Sequence, residues 1–210
     1  MLLRALLAPI APPLCVACGG AAGAREPLCG GCRAALRWLG PELTPIRGID
    51  LWAPLVYEGS ARALVGALKY RGALQAADLM AAQMAANAPP DLLPGRALVP
   101  VPLHPARRRR RGYNQAERLA RALAGRSGAL VCDCLDRTGS RLAQVGRPRV
   151  ERLTALEGAI RPRPATAVPP RVLVVDDVVT TGATLAGCAG VLRAAGVDVR
   201  AIAYARTPGR

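Results

Sequence analysis

Two adjacent carboxylates, Asp176 and Asp177, follow four apolar residues, Val172 to Val175. A run of hydroxyls and glycine comes next: Val179, Thr180, Thr181, Gly182, Ala183 and Thr184. Like charges side by side at the end of a buried strand repel, so something must offset their cost; sugar hydroxyls or a metal would do so. The Thr/Gly run opens a helical pattern. Its free N–H groups, the helix dipole and the three threonine hydroxyls make a cradle for one phosphate. Carboxylates for hydroxyls beside amides for phosphate describe a sugar phosphate. A second constellation is Cys15, Cys18, Cys29 and Cys32, spaced C-x2-C-x10-C-x2-C. Two such knuckles present four thiolates, the donor set of a structural tetrahedral Zn²⁺. Disulfides and unligated thiols are the alternatives. Cys132, Cys134 and Cys188 lack a matching spacing and read as buried small hydrophobes.

Basic residues form the third constellation. Arg107 to Arg111 are consecutive, between a strand end and a helix start, where a phosphate loop would sit. Arginine supplies fixed forks of donors for phosphate oxygens. Five exceed what one pyrophosphate needs, so some could follow a DNA backbone, with Tyr113 stacking on a base or simply packing. Lys69 is the one lysine and His104 the one histidine. No carboxylate lies beside His104 in sequence, and a structural role suits it as well as proton transfer.

The positioning elements follow from periodicity. LWAPLVY (51–57), RALVPVPL (96–103), ALVCDCL (129–135), VLVVD (172–176) and VDVRAIAYART (197–207) read as strands. Residues 60–70, 73–88, 112–125 and 184–196 read as helices, with Gly125 and Gly196 as stops. Strands alternating with helices indicate a parallel α/β sheet, with the acidic pair and its loop at the carboxyl end of a central strand. Residues 136–170 are rich in Arg, Pro and Gly, too long for a passive connector, and read as a functional loop with some strand content. Residues 1–50, rich in Cys, Gly and Pro, form a zinc-ribbon-like unit, and 51–210 form the α/β domain. That unit could present Arg25, Arg33 and Arg37 to a partner.

Composition bounds the class. The chain has 210 residues, 51% of them hydrophobic, enough for a substantial core. The net charge of +15 suits a polyanion partner, although arginine excess with abundant Ala, Gly and Pro also follows from GC-rich coding. No stretch of 18 uncharged apolar residues occurs, which argues against a membrane span. The start, MLLRALLAPIAPPLC, is broken by three prolines and reads as a short packed helix rather than a signal peptide. Clustered thiols in metal spacing suit a reducing cytoplasm.

VLVVDDVVTTGAT (172–184) resembles the ribose-phosphate motif of type I phosphoribosyltransferases. That resemblance implies phosphoribosyl pyrophosphate (PRPP) bound with Mg²⁺, Asp176 and Asp177 on the ribose hydroxyls, and Val179 to Thr184 on the 5-phosphate. The four-cysteine start, ALKYRG (67–72), VPVPLHPARRRRRGYNQAERLA (99–120) and the C-terminal motif together resemble the ComF family, which includes GntX-like proteins, over nearly the whole chain. The family implies a phosphoribosyltransferase-like fold, pyrophosphate contacts from Lys69, Arg107, Arg108 and Arg111, and a link to natural competence. Single-stranded DNA and competence-machinery proteins are the partners so implied. Residues 138–158 resemble the fold's mobile catalytic loop, where Gln144 matches the family pattern; Ala155 and Ile160 stand where Asn and Phe are usual. A glutamine-using amidotransferase is disfavoured, since no cysteine follows Met1 and the upstream cysteines suit zinc.

Overall fold

The computed structural model describes residues 13–24, 26–138 and 160–208. The expected helix at the N-terminus and most of the expected catalytic loop, Gln144 and Ala155 included, lie outside them.

The protein is α/β, with helices on both faces of a mostly parallel sheet. In chain order the elements are α1 (Gly30–Ala34), β1 (Thr44–Ile46), β2 (Ile49–Trp52), β3 (Leu55–Val56), α2 (Gly59–Tyr70) and α3 (Gln75–Asn87). Then come β4 (Ala97–Pro100), α4 (Pro105–Arg111), α5 (Gln115–Ser127), β5 (Leu135–Arg137), β6 (Ile160–Pro162), β7 (Arg171–Val179), α6 (Ala183–Ala194) and β8 (Asp198–Arg206). The sheet runs β1-β2-β8-β7-β4, with β3 also on β8. The β2–β8, β3–β8, β7–β8 and β4–β7 pairs are parallel, and the β1–β2 hairpin is antiparallel. That hairpin straddles residue 50, where the composition changes, and its pairing puts it with the sheet.

β7 is buried on both faces, which its unbroken apolar run requires. Side chains alternate along a strand. Leu173 and Val175 enter one core with Leu64, Leu68, Met80, Met84, Leu119 and Leu123, beneath α2, α3 and α5. Val172 and Val174 enter the other with Leu185, Cys188, Leu192 and Val199, beneath α6.

Several elements differ from expectation for local reasons. The stretch 51–57 forms two short strands, since Pro54 has no N–H to donate to a ladder. Residues 129–135 hold only one bridge to the sheet, Val131 to Leu98, and β5 pairs instead with β6. This two-stranded ribbon is the strand content of the 136–170 segment within the described residues. The third helical pattern runs past Gly125 to Ser127, and Gly128, at φ 72°, is the residue that ends it. The arginine run is helix α4, not a loop. Pro105 fits its first turn, His104 caps it by accepting from the Ala106 N–H at 3.1 Å, and Gly112, at φ 82°, closes it.

The cysteine unit packs on α2. Cys15, Leu28 and Leu36 share the core of Leu64 and Leu68, and Arg71 donates to the Val16 carbonyl at 3.0 Å. Among the described residues no helix is long and apolar enough to cross a membrane.

Candidate functional site

β7 carries the acidic pair beyond the point expected. The strand runs through Val179, so Asp176 and Asp177 lie within it and face opposite sides of the sheet. Asp177 follows Leu173 and Val175 towards α2. It is 1% exposed; its Oδ1 lies 2.7 Å from Lys69 Nζ, and its buried Oδ2 has no partner among the described residues. Asp176 follows Val172 and Val174 and is half-buried. Its Oδ1 accepts from the Asp177 N–H at 2.8 Å.

Burial, then the Asp177 charge, push the Asp176 carboxyl up to about 7. Burial also raises Asp177, against the pull of Lys69 and Arg111. For Lys69, burial works downward, but the Asp177 charge and hydrogen bond outweigh it and hold the ammonium above its ordinary value. Lys69 is thus the counter-charge of Asp177 here.

A shallow recess at the carboxyl end of β7 is lined by Asp176, Val178 to Thr184, and Leu185. It contains every residue of the expected 5-phosphate loop. Gly182 sits at φ 72° against Ile46, and a Cβ there would meet the Ile46 side chain at 2.7 Å. Only glycine fits that position. The β1–β2 turn braces the loop from the side: Arg47 Nε donates to the Thr181 carbonyl at 2.9 Å, and Arg193 donates to the Gly48 carbonyl at 3.0 Å. Arg47 itself lies at φ 49°, a left-handed conformation unusual outside glycine.

Helical spacing sorts the five arginines. Arg111 is half-buried; its guanidinium stands 5.3 Å from the centroid of the Tyr70 ring and donates to Gln115 Oε1. Arg108 pairs with Glu117 at 3.5 Å, on the outside of the helix. Arg107, Arg109 and Arg110 are exposed. Tyr113 packs rather than offering a stacking face: its hydroxyl donates to the Leu68 carbonyl, tying α2 to the α4–α5 junction.

Arg137 is a residue that periodicity gave no reason to single out. Burial, with the nearby Arg107, lowers its pKa, while Asp176 acts the other way. It stands on β5, whose pairing with a strand 23 residues further on in sequence number (Arg137 with Ile160) no local pattern announces.

The four cysteine sulfurs lie within 4.8 Å of one another. Cys18 and Cys29 Sγ are 3.8 Å apart, about the separation of two ligands around a tetrahedral Zn²⁺ with Zn–S near 2.3 Å. Backbone turns shape both knuckles, with the Gly19 N–H on the Cys15 carbonyl and the Arg33 N–H on the Cys29 carbonyl. Burial works to raise the Cys15 thiol, but N–H groups of Cys29, Cys18 and Ala17 bring it down to about 6. The donor set fits zinc. Of the other thiols, Cys134 and Cys188 are buried as expected, whereas Cys132 is only half-buried.

No family model matches the chain, and no curated protein matches it. Among solved structures it is similar to orotate phosphoribosyltransferase from Aeropyrum pernix, with 21% identity over 81% of this chain and 75% of that one, at a TM-score of 0.37. A superposition this loose establishes neither shared activity nor shared site residues.

Proposed function

We propose that the protein binds PRPP with Mg²⁺ in the β7–α6 recess, as a phosphoribosyltransferase-like protein of the ComF type acting in the cytoplasm. The observation that carries this reading is the recess itself. One carboxylate, Asp176, lines it together with the helix-opening loop and its three threonines, the residue types that hold a phosphate at a helix start. In this reading Val179 to Thr184 hold the 5-phosphate and Asp176 takes the ribose hydroxyls. Asp177, neutralised by Lys69, sets the position of the strand end beneath them. Arg107, Arg108 and Arg111 supply the pyrophosphate side, with Lys69 joining them if ligand draws it from Asp177. Mg²⁺ would come with the ligand and its waters, and the hard oxygens of Asp176 suit it.

In the transfer reaction the bond from C1 to a pyrophosphate oxygen breaks, and an acceptor nucleophile bonds to C1. Such a step passes through an oxocarbenium-like state. The contribution of this chain is positioning and neutralisation of the leaving pyrophosphate. Calorimetric titration of Mg·PRPP tests the site. Wild type should bind, and the Asp176→Asn/Asp177→Asn variant should lose at least tenfold in affinity, on the order of the charged hydrogen bonds removed. No binding by the folded wild type sinks the reading.

A second reading, single-stranded DNA binding in a competence context, is favoured by one feature: Arg109 and Arg110 of α4 are exposed and do not line the recess. Affinity for an oligonucleotide that falls steeply with salt, and falls again in an Arg109→Ala/Arg110→Ala variant, would support it.

A further inference from the structure

Among the described residues several ordered arginines are neutralised by carboxylates. Arg96 meets Asp198 at 2.8 Å, Arg163 meets Asp133 and Asp136 at 2.8 Å each, and Arg108 meets Glu117. Like Arg47, Arg71 and Arg193, which hold backbone carbonyls, Arg111 is ordered by uncharged partners. One side of its guanidinium faces the Tyr70 ring at 5.3 Å, and an Nη donates to Gln115 Oε1. Both partners are uncharged, so they fix the fork without cancelling its charge. An aromatic face and an amide oxygen restrict a guanidinium as well as a carboxylate does, yet leave its remaining donors free for an anion.

The two partners are themselves held. Gln115, 8% exposed, is locked in the first turn of α5 beside Asn114, which caps that helix and donates to the Val101 carbonyl at 2.9 Å. Tyr70 ends α2, whose last turn is tied down by the Tyr113 hydroxyl on the Leu68 carbonyl. Its neighbour Lys69 is the residue that reaches Asp177. Tyr70 is nonetheless 72% exposed. A large ring left in water at the end of an apolar helix adds little to the core. Its evident contact is the cation.

We propose that Tyr70 and Gln115 are positioning residues for Arg111: they hold its guanidinium fixed and un-neutralised beside the Lys69–Asp177 pair, as the receptor for the pyrophosphoryl end of the ligand. This rests on the PRPP reading of the site and deepens it. It gives Arg111 the fixed pyrophosphate contact among the five arginines, because Arg108 is engaged with Glu117 and Arg107, Arg109 and Arg110 are exposed.

The test is calorimetric titration with two probes, Mg·PRPP and ribose 5-phosphate, which lacks the pyrophosphoryl end. Tyr70→Leu should weaken Mg·PRPP roughly three- to tenfold, the range of an ordered cation–π contact, and leave ribose 5-phosphate unchanged. Tyr70→Phe keeps the ring and should restore most of the affinity. In an Arg111→Ala background, Tyr70→Leu should cost nothing further. Gln115→Leu should repeat the pattern; since Gln115 is buried, the exposed Tyr70 carries the test if that variant fails to fold. Unchanged Mg·PRPP affinity in Tyr70→Leu overturns the proposal. So does an equal loss for both probes, or a full loss that persists without Arg111. If wild type binds neither probe, the site reading fails first and takes the proposal with it.

Discussion

Asp176 is the residue whose chemistry is most exposed to measurement. Its carboxyl is raised to about 7 by burial and by Asp177, whereas the unfolded chain ionises near the ordinary carboxylate value of about 4. Between those values the unfolded state has released a proton that the folded state retains, so this group makes stability fall as pH rises from about 4 to about 7. Asp176→Asn removes that dependence and still accepts the Asp177 N–H. It should raise the unfolding free energy by roughly 1–3 kcal/mol at pH 7 and change little at pH 4, as read by denaturant unfolding across that range. The opposite result belongs to Lys69. Replacing it with Met leaves Asp177 buried without its counter-charge, at a cost of roughly 3–5 kcal/mol. Adding Asp177→Asn should recover most of that loss, and equal instability of single and double variants would contradict the pairing.

At the scale of elements, glycines separate what pattern reading resolves from what it does not. Gly125 looks like a stop because glycine is common there, yet the helix passes through it and ends at Gly128. Gly125→Ala should therefore stabilise by about 0.5–1 kcal/mol, since nothing lies within 4 Å of the new Cβ. Gly128→Ala should destabilise by about 1 kcal/mol, because φ is 72° there. Thermal unfolding of the two variants decides it, and equal effects would mean the helix end is misplaced. The same limit explains the arginine run. Five like charges give no apolar period, so the residues that make α4 a helix lie at its ends, in His104, Pro105 and Gly112. The core strands were legible because β7 and β8 carry unbroken apolar runs. The 129–135 segment was not, because its pairing partner depends on tertiary placement.

For the whole molecule, the four cysteines were readable from spacing alone, while their seat on α2 was not, since it rests on Leu28 and Leu36 meeting Leu64 and Leu68. A metal held there stabilises more than its own knuckles. The protein should carry one zinc per chain, and removing the zinc with a chelator, then washing the chelator out and restoring Mg²⁺, should lower Tm and also weaken Mg·PRPP, because α2 bears Lys69 and Tyr70. Retained Mg·PRPP affinity in the zinc-free protein would show the unit to be independent of the site. The pairing of Asp176 and Asp177 was legible, but not their division between the two faces, since the strand continues three residues past its expected end at Asp176 and takes Asp177 into its alternation.

The margins of the sheet have a consequence for how copies of this protein can meet. On one side β1 has three residues, the middle one Pro45. On the other, the outer flank of β4 is occupied: the Leu98 N–H donates to Leu130 and the Cys132 N–H donates to Leu98. Pro100 ends that strand. Among the described residues, neither border of the main sheet offers a long free ladder of donors and acceptors for a neighbour to extend. Edge-to-edge growth of this main sheet from copy to copy is thereby disfavoured.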